Sequence, residues 1–181
     1  MLKEISDIQA RASCLYDEQA VESALDDMAA AITAKLQDSN LLVLCVINGG
    51  IIATGKLLTR LKFPLMLDSI HASRYRNSTS GKELHWLFTP VTPLQNRTLL
   101  IVDDILDEGH TLRGIVDYCR QQGAAAVYTA VLLDKKLPGD KPIKADFTGL
   151  EVDNHYLFGY GMDYKGYLRN AAGIYACKEI L

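Results

Sequence analysis

Short apolar runs punctuate this chain, each bounded by polar turns. Leu41–Ile47 (LLVLCVI), Leu99–Val102 (LLIV) and Ala126–Leu133 (AVYTAVLL) are too short for helices and carry β-branched residues. Such runs predict parallel strands buried on both faces. Phe63–Ala72 reads as a further strand with Pro64 near its start, and Leu84–Phe88 as a short one. Between the strands the period changes to that of a helix. Val21, Leu25, Met28, Ala29, Ile32 and Leu36 share one face of a helix that Asp17 would N-cap and that runs to about Gln37. Its acids Glu22, Asp26 and Asp27 read as a solvated face. Asn48-Gly49-Gly50 breaks the first strand, and Ile51–Leu61 resumes as a helix. Another helix begins near Leu112 and stops at Gly123 after Gln122. Met1–Ala12 is mixed and reads as an arm. Strands alternating with helices predict an α/β fold, a parallel-sheet core flanked by helices.

The chemistry concentrates where one strand ends. After Leu99–Val102 come Asp103 and Asp104, then Ile105-Leu106, then Asp107-Glu108-Gly109-His110-Thr111 and a helix. A strand that ends in acids and turns through Gly into a helix is a ligand-binding edge of an α/β sheet. Gly109 lets successive N–H groups turn inward, and the helix N-terminus adds partial positive charge, which together suit a phosphate. The acids cannot bind phosphate directly; they suit sugar hydroxyls and hydrated Mg²⁺. A plain buried strand followed by a polar turn does not explain so many neighbouring carboxylates, whose repulsion needs a ligand or metal to offset it. A receiver domain also carries IVDD at a strand end, but too few residues remain from Thr98 to Leu181 to build one. Gly50–Lys56 (GIIATGK) nearly fits a Walker A loop, yet Leu57 stands where the Mg²⁺-binding hydroxyl belongs, and nucleoside triphosphate binding is rejected there.

Composition narrows the class. The 181 residues with 49% apolar content suit one α/β domain with a small appendage. A net charge of −3 argues against broad nucleic-acid binding. Cys14, Cys45, Cys119 and Cys177 lack paired metal-ligand spacing and read as reduced thiols. No signal peptide or membrane-spanning run is visible, so a cytoplasmic protein is expected.

The stretch Leu99–Leu112 resembles the PRPP-binding motif of the type I phosphoribosyltransferases (PRPP is 5-phosphoribosyl-1-diphosphate). The departures are Glu108 where that motif usually has Thr and His110 where Lys is common. Further on, Asp146–Val152 (DFTGLEV), His155–Tyr164 (HYLFGYGMDY) and Tyr167-Leu168-Arg169 are similar to blocks of the hypoxanthine-guanine phosphoribosyltransferases. With Lys135 at a strand end, they narrow the resemblance to that family, over most of the chain from Leu41 onward.

The resemblance implies the type I phosphoribosyltransferase fold, with a core of about 13–145 and a small hood from about 1–12 and 146–181. It implies transfer of ribose 5-phosphate from PRPP to a 6-oxopurine, with Mg²⁺ as cofactor and with no nucleic acid or membrane involved. Asp103 and Asp104 would hold the ribose hydroxyls and reach Mg²⁺ through water. Asp107 would act as general base toward the purine. The backbone of Glu108, Gly109, His110 and Thr111, with the Thr111 hydroxyl, would hold the 5-phosphate. Asn48, Gly49 and Gly50 would meet pyrophosphate through N–H groups, although the same letters also read as a simple Gly turn. Lys135 would donate to the 6-oxo group, Tyr156 would stack on the base, and the Leu157 backbone would meet its edge. Asp163 would ligate a second Mg²⁺, with Arg169 near pyrophosphate. The His110 ring faces the phosphate or points outward; both remain open. The polar stretch 73–81 is expected to act as a lid. A homodimer or homotetramer is expected. The competing functions are a phosphoribosyltransferase preferring xanthine and a PRPP-sensing regulatory protein of the same fold.

Overall fold

The computed structural model describes residues 1–74 and 84–177, with only the backbone of Ser73 and Arg74. Beyond Arg74, the expected lid therefore lies outside the described residues. The elements in chain order are α1 (Leu2–Arg11), β1 (Ser13–Asp17), α2 (Glu18–Leu36), β2 (Leu42–Val46), α3 (Ile51–Leu58), β3 (Met66–Arg74), β4 (Leu84–Phe88), β5 (Thr98–Leu106), α4 (His110–Gln121), β6 (Ala126–Lys135), β7 (Phe147–Val152), β8 (Leu157–Phe158) and β9 (Gly173–Ala176).

The apolar runs do become the centre of a parallel sheet. Its order is β4-β3-β2-β5-β6-β7. All neighbours are parallel except β3 and β4, which pair antiparallel. Successive strand residues point to opposite faces, and both faces here are buried. Leu42, Leu44, Val46, Leu99 and Ile101 enter one apolar cluster with Leu112, Ile115 and Cys119 of α4. Val43, Leu100 and Val102 enter the other with Val21, Leu25, Met28 and Ile32 of α2. Two-sided burial is why these strands read as continuous apolar runs instead of alternating ones. Asp17 caps α2 as expected, accepting from the Ala20 N–H at 2.9 Å. A second sheet, β1-β9-β8, is antiparallel and forms the hood. Among the described residues no helix is long and apolar enough to cross a membrane.

Several expectations are sharpened or corrected. The arm Met1–Ala12 is helical: α1 buries Ile5 and Ile8. β1 comes from residues expected in the core yet sits in the hood sheet, whereas β7 comes from residues expected in the hood yet extends the core sheet beside β6. Parallel pairing with β7 covers an edge that β6 would otherwise leave open. α3 ends at Leu58, short of Leu61, and β3 begins at Met66, beyond Pro64, which has no N–H for the ladder. β5 runs on through both acids to Leu106. Glu22 is not a solvated acid: it pairs with Lys56 of α3 and with Arg60 in the turn just after it.

Candidate active site

The site lies along the carboxyl ends of β2, β5 and β6, where open α/β sheets bind ligands. Asp103 and Asp104 stand inside β5, Asp103 opposite Val131 of β6. Asp103 Oδ1 accepts from the Asp104 N–H at 2.9 Å, and Asp104 Oδ1 accepts from the Ile105 N–H at 2.8 Å. Asp104 is buried, at 8% exposure. Burial and then the charge of Asp104 push the Asp103 carboxyl well above the ordinary range. Burial likewise pushes Asp104 up, partly opposed by its hydrogen bond with Asp103 and by the charge of Arg169.

The turn after β2 packs directly on these acids. A Cβ at Gly49 would sit 2.2 Å from Asp104 Oδ2, and one at Gly50 would sit 2.6 Å from the Val102 carbonyl oxygen. Only glycine allows this approach. The Ile47–Asn48 peptide bond is cis, and Asn48 is exposed. The helix α3 that follows has no side-chain N-cap, so no side chain occupies its first donors.

The second loop leaves β5 at Leu106. Gly109 is buried and left-handed, with φ +83°, and is ringed by Leu106, Pro142 and Ile143. α4 starts at His110 and also lacks a side-chain cap, which leaves its N-terminal amides and dipole available to an anion. Glu108 and His110 are exposed, and Thr111 is half-buried.

Strand register then brings two predicted residues together. Leu106 of β5 is opposite Asp134 of β6, so the next residues, Asp107 and Lys135, emerge side by side. Lys135 Nζ lies 3.0 Å from Asp107 Oδ2. Lys135 is nearly buried, at 9% exposure, while Asp107 is open to solvent. Sequence reasoning does not single out Lys141, in the turn after β6. Its Nζ donates to Asp134 Oδ1 at 2.5 Å and to the Leu106 carbonyl at 2.7 Å, tying both strand ends together. Nothing in the local pattern marks it, because Asp134 lies across a turn and Leu106 on another strand.

The hood supplies the remaining predicted residues. Tyr156 is exposed and meets Tyr164 edge-on at 5.6 Å between ring centroids. Leu157 is buried and its backbone pairs with Ala176 of β9. Asp163 and Arg169 come together: Arg169 Nη2 lies 2.6 Å from Asp163 Oδ1, and the Gly166 N–H donates to Asp163 Oδ2 at 2.6 Å. Arg169 also donates to the Gly161 carbonyl at 2.5 Å. Gly161 was not anticipated. Its φ is +109°, and a Cβ there would lie 2.0 Å from the Gly49 carbonyl oxygen, so this turn abuts the β2 turn directly.

The donor set fits a hydrated divalent cation shared with substrate oxygens. Two adjacent carboxylates whose ionisation is disfavoured by burial, and at Asp103 also by the charge of Asp104, gain from a cation beside them. Among the described residues no group of three or more His, Cys, Asp or Glu could cage an ion alone. Mg²⁺ commonly uses one or two carboxylates plus phosphate oxygens and water.

Comparison with known proteins agrees with this geometry. A family model described as a phosphoribosyl transferase domain matches residues 12–165. A hypoxanthine-guanine phosphoribosyltransferase of Bacillus subtilis is 32% identical over 157 residues, covering 86% of this chain and 87% of that protein. A hypoxanthine-guanine-xanthine phosphoribosyltransferase of Tritrichomonas foetus is 31% identical over 168 residues, covering 91% of each. A solved structure of a hypoxanthine-guanine-xanthine phosphoribosyltransferase superposes with a TM-score of 0.83 at 28% identity, covering 92% of this chain and 97% of that one.

Proposed function

Since this chain belongs to the phosphoribosyl transferase family, we propose that it is a purine-salvage enzyme that transfers ribose 5-phosphate from PRPP to hypoxanthine or guanine, giving IMP or GMP and pyrophosphate. The observation that carries the base half of this reading is the 3.0 Å contact between Lys135 and Asp107. A 6-oxopurine offers a carbonyl acceptor and, next to it, an N7–H donor. A lysine and a carboxylate side by side are complementary to that pair. In the reaction the bond from the purine nitrogen to the anomeric carbon forms as the bond from that carbon to pyrophosphate breaks. Positive charge builds on the ribose, and the N7 proton passes to Asp107 as general base. Asp103 and Asp104 would hold the ribose hydroxyls and, through water, a Mg²⁺ ion, and Asp163 would hold a second one. When bound, Mg²⁺ supplies charge stabilisation for the departing pyrophosphate. The N–H groups from Glu108 to Thr111 take the 5-phosphate, and those of Asn48, Gly49 and Gly50, with Arg169, take pyrophosphate. Tyr156 covers the base face and the Leu157 backbone meets its edge.

A second substrate range is supported by the Tritrichomonas foetus relative, whose name includes xanthine. A PRPP sensor has no use for a lysine and carboxylate paired above the ribose acids, which favours catalysis. The enzyme is proposed to work in the cytoplasm as a homodimer or homotetramer, which sedimentation of the purified chain would test. Initial rates with PRPP and Mg²⁺ and, in turn, hypoxanthine, guanine, xanthine and adenine test the activity. Hypoxanthine and guanine should be converted and adenine should not. PRPP binding without conversion of any base would sink the proposal.

A further inference from the structure

Outside the cleft, one carboxylate gathers donors from two elements that flank it. Glu22 of α2 takes Lys56 Nζ at 2.7 Å and the Tyr160 hydroxyl at 2.6 Å on Oε1, and Arg60 Nη2 at 2.6 Å on Oε2. Arg60 is held further by Asp26, at 2.5 Å from its Nε. Lys56 also stands over the Tyr160 ring, 5.9 Å from its centroid. Lys56 belongs to α3, whose first residue follows Gly50, and Arg60 stands in the turn just beyond that helix and donates back to the Lys56 carbonyl at 3.0 Å, so both are tied to the helix that follows the β2 turn.

Tyr160 is the tip of the opposing turn. Gly159 and Met162 exchange backbone hydrogen bonds at 3.0 and 3.1 Å, and the Gly161 N–H donates to the Arg169 carbonyl at 3.0 Å. Tyr160 itself has φ +45° between two left-handed glycines. A bulky aromatic keeps that conformation only when its surroundings over-determine it. Here the ring is buried at 3% exposure and its hydroxyl is fixed by Glu22. The next residue, Gly161, is the one pressed against the Gly49 carbonyl and the Asp104 side chain. Glu22 therefore joins both walls of the cleft from behind: the helix bearing the Gly49–Gly50 turn, and the turn that faces it.

We infer that Glu22 is a positioning residue for the pyrophosphate half of the site, acting through Tyr160 and α3 to set the spacing between Gly161 and Gly49. This rests on the reading that Asn48–Gly50 receive pyrophosphate. Mild variants keep the fold testable: Glu22→Gln retains size, and Tyr160→Phe removes only the hydroxyl. Binding of Mg²⁺-pyrophosphate and of IMP is measured by calorimetry for wild type, both single variants and the double variant, each checked for native circular dichroism. Each single variant should weaken pyrophosphate by about tenfold, as small misplacements remote from the chemistry do, while IMP affinity changes by less than about twofold on the same grounds. The double variant should be no worse than the weaker single, because both act along one path. Wild-type pyrophosphate affinity in both single variants overturns the inference, as does equal weakening of pyrophosphate and IMP, or full additivity. If the wild type binds IMP but no pyrophosphate, the assignment of the β2 turn fails first and takes this inference with it.

Discussion

The core edge and the hood solve the same problem, presenting groups to a ligand, with different materials. At the core edge the groups sit on continuous strands. Asp103 and Asp104 are inside β5, and Asp107 and Lys135 follow directly from the β5–β6 register. In the hood the strands are short, and the groups sit on turns with left-handed backbone at Gly159, Tyr160, Gly161, Lys165, Gly166 and Leu168. Those turns are fixed from outside: by Glu22 at Tyr160, by Arg169 at Asp163 and Gly161, and by Glu4 of α1 at Lys165. A ladder holds its residues to fractions of an ångström without help, whereas a turn is only as well placed as its side-chain anchors. Changes at the core edge should therefore strike chemistry and PRPP binding, and changes in or behind the hood should alter affinity and stability by degrees.

The largest effect should come from Asp107→Asn, at the core edge. Turnover should fall by about 10² to 10⁴, the usual worth of a general base, with PRPP affinity nearly unchanged. Rapid-quench rates set beside PRPP titrations check this, and wild-type turnover across the pH range would remove Asp107 as the base. Gly49→Ala should come next. Its Cβ would fall 2.2 Å from Asp104 Oδ2, so the turn must retreat from the acids. PRPP affinity should drop by about a hundredfold, as an ångström-scale displacement implies, with purine-nucleotide affinity much less affected. Unaltered PRPP binding would show that the β2 turn is not part of the site.

Lys135→Ala should weaken hypoxanthine and guanine by about ten- to a hundredfold, the range for a lost hydrogen bond involving a charged group, and should spare PRPP. Equal purine affinity in the variant would place that side chain outside the base pocket. The smallest effect concerns the anchor behind the hood. Hydrogen bonds from Lys56 and Tyr160 hold the Glu22 carboxyl at about 2, below its ordinary 4.5. A depressed carboxylate stabilises the fold above its unfolded value and loses that contribution as pH falls from 4.5 toward 2. After allowance for partial solvent screening, Glu22→Gln should cost about 1–2 kcal/mol at pH 7, and the gap from wild type should close near pH 2. Urea melts at both pH values decide it; a gap that persists in acid would mean packing, not charge, is lost.

What could be read from the sequence divides along the same line. The core edge was legible because its signals are local. Two-sided burial makes β2, β5 and β6 unmistakable apolar runs, and the acids, Gly109 and the following helix are contiguous. Strand ends were misjudged where polarity begins. β5 continues through Asp103 and Asp104 to Leu106 because backbone pairing with β6 does not depend on side-chain polarity. The hood was legible only through family resemblance. β1 and β9 are short, β1 largely exposed and β9 largely buried, with no alternation to mark them, and they pair across nearly the whole chain. Tyr160 acts on Glu22, far away in sequence, and Lys141 reaches the Leu106 carbonyl on another strand. Glu22 left one clue: Glu22 and Asp26 on α2 lie four apart, as do Lys56 on α3 and Arg60 just past its end, a matched charge spacing that suits facing segments.

Phosphorus NMR of PRPP and Mg²⁺ with the wild-type enzyme, before and after hypoxanthine is added, tests the central claim most directly. PRPP should remain intact without the base. With it, the PRPP resonances should be replaced by those of IMP and pyrophosphate in equal amounts. PRPP that binds yet stays unconverted in the presence of hypoxanthine, guanine and xanthine would contradict the account.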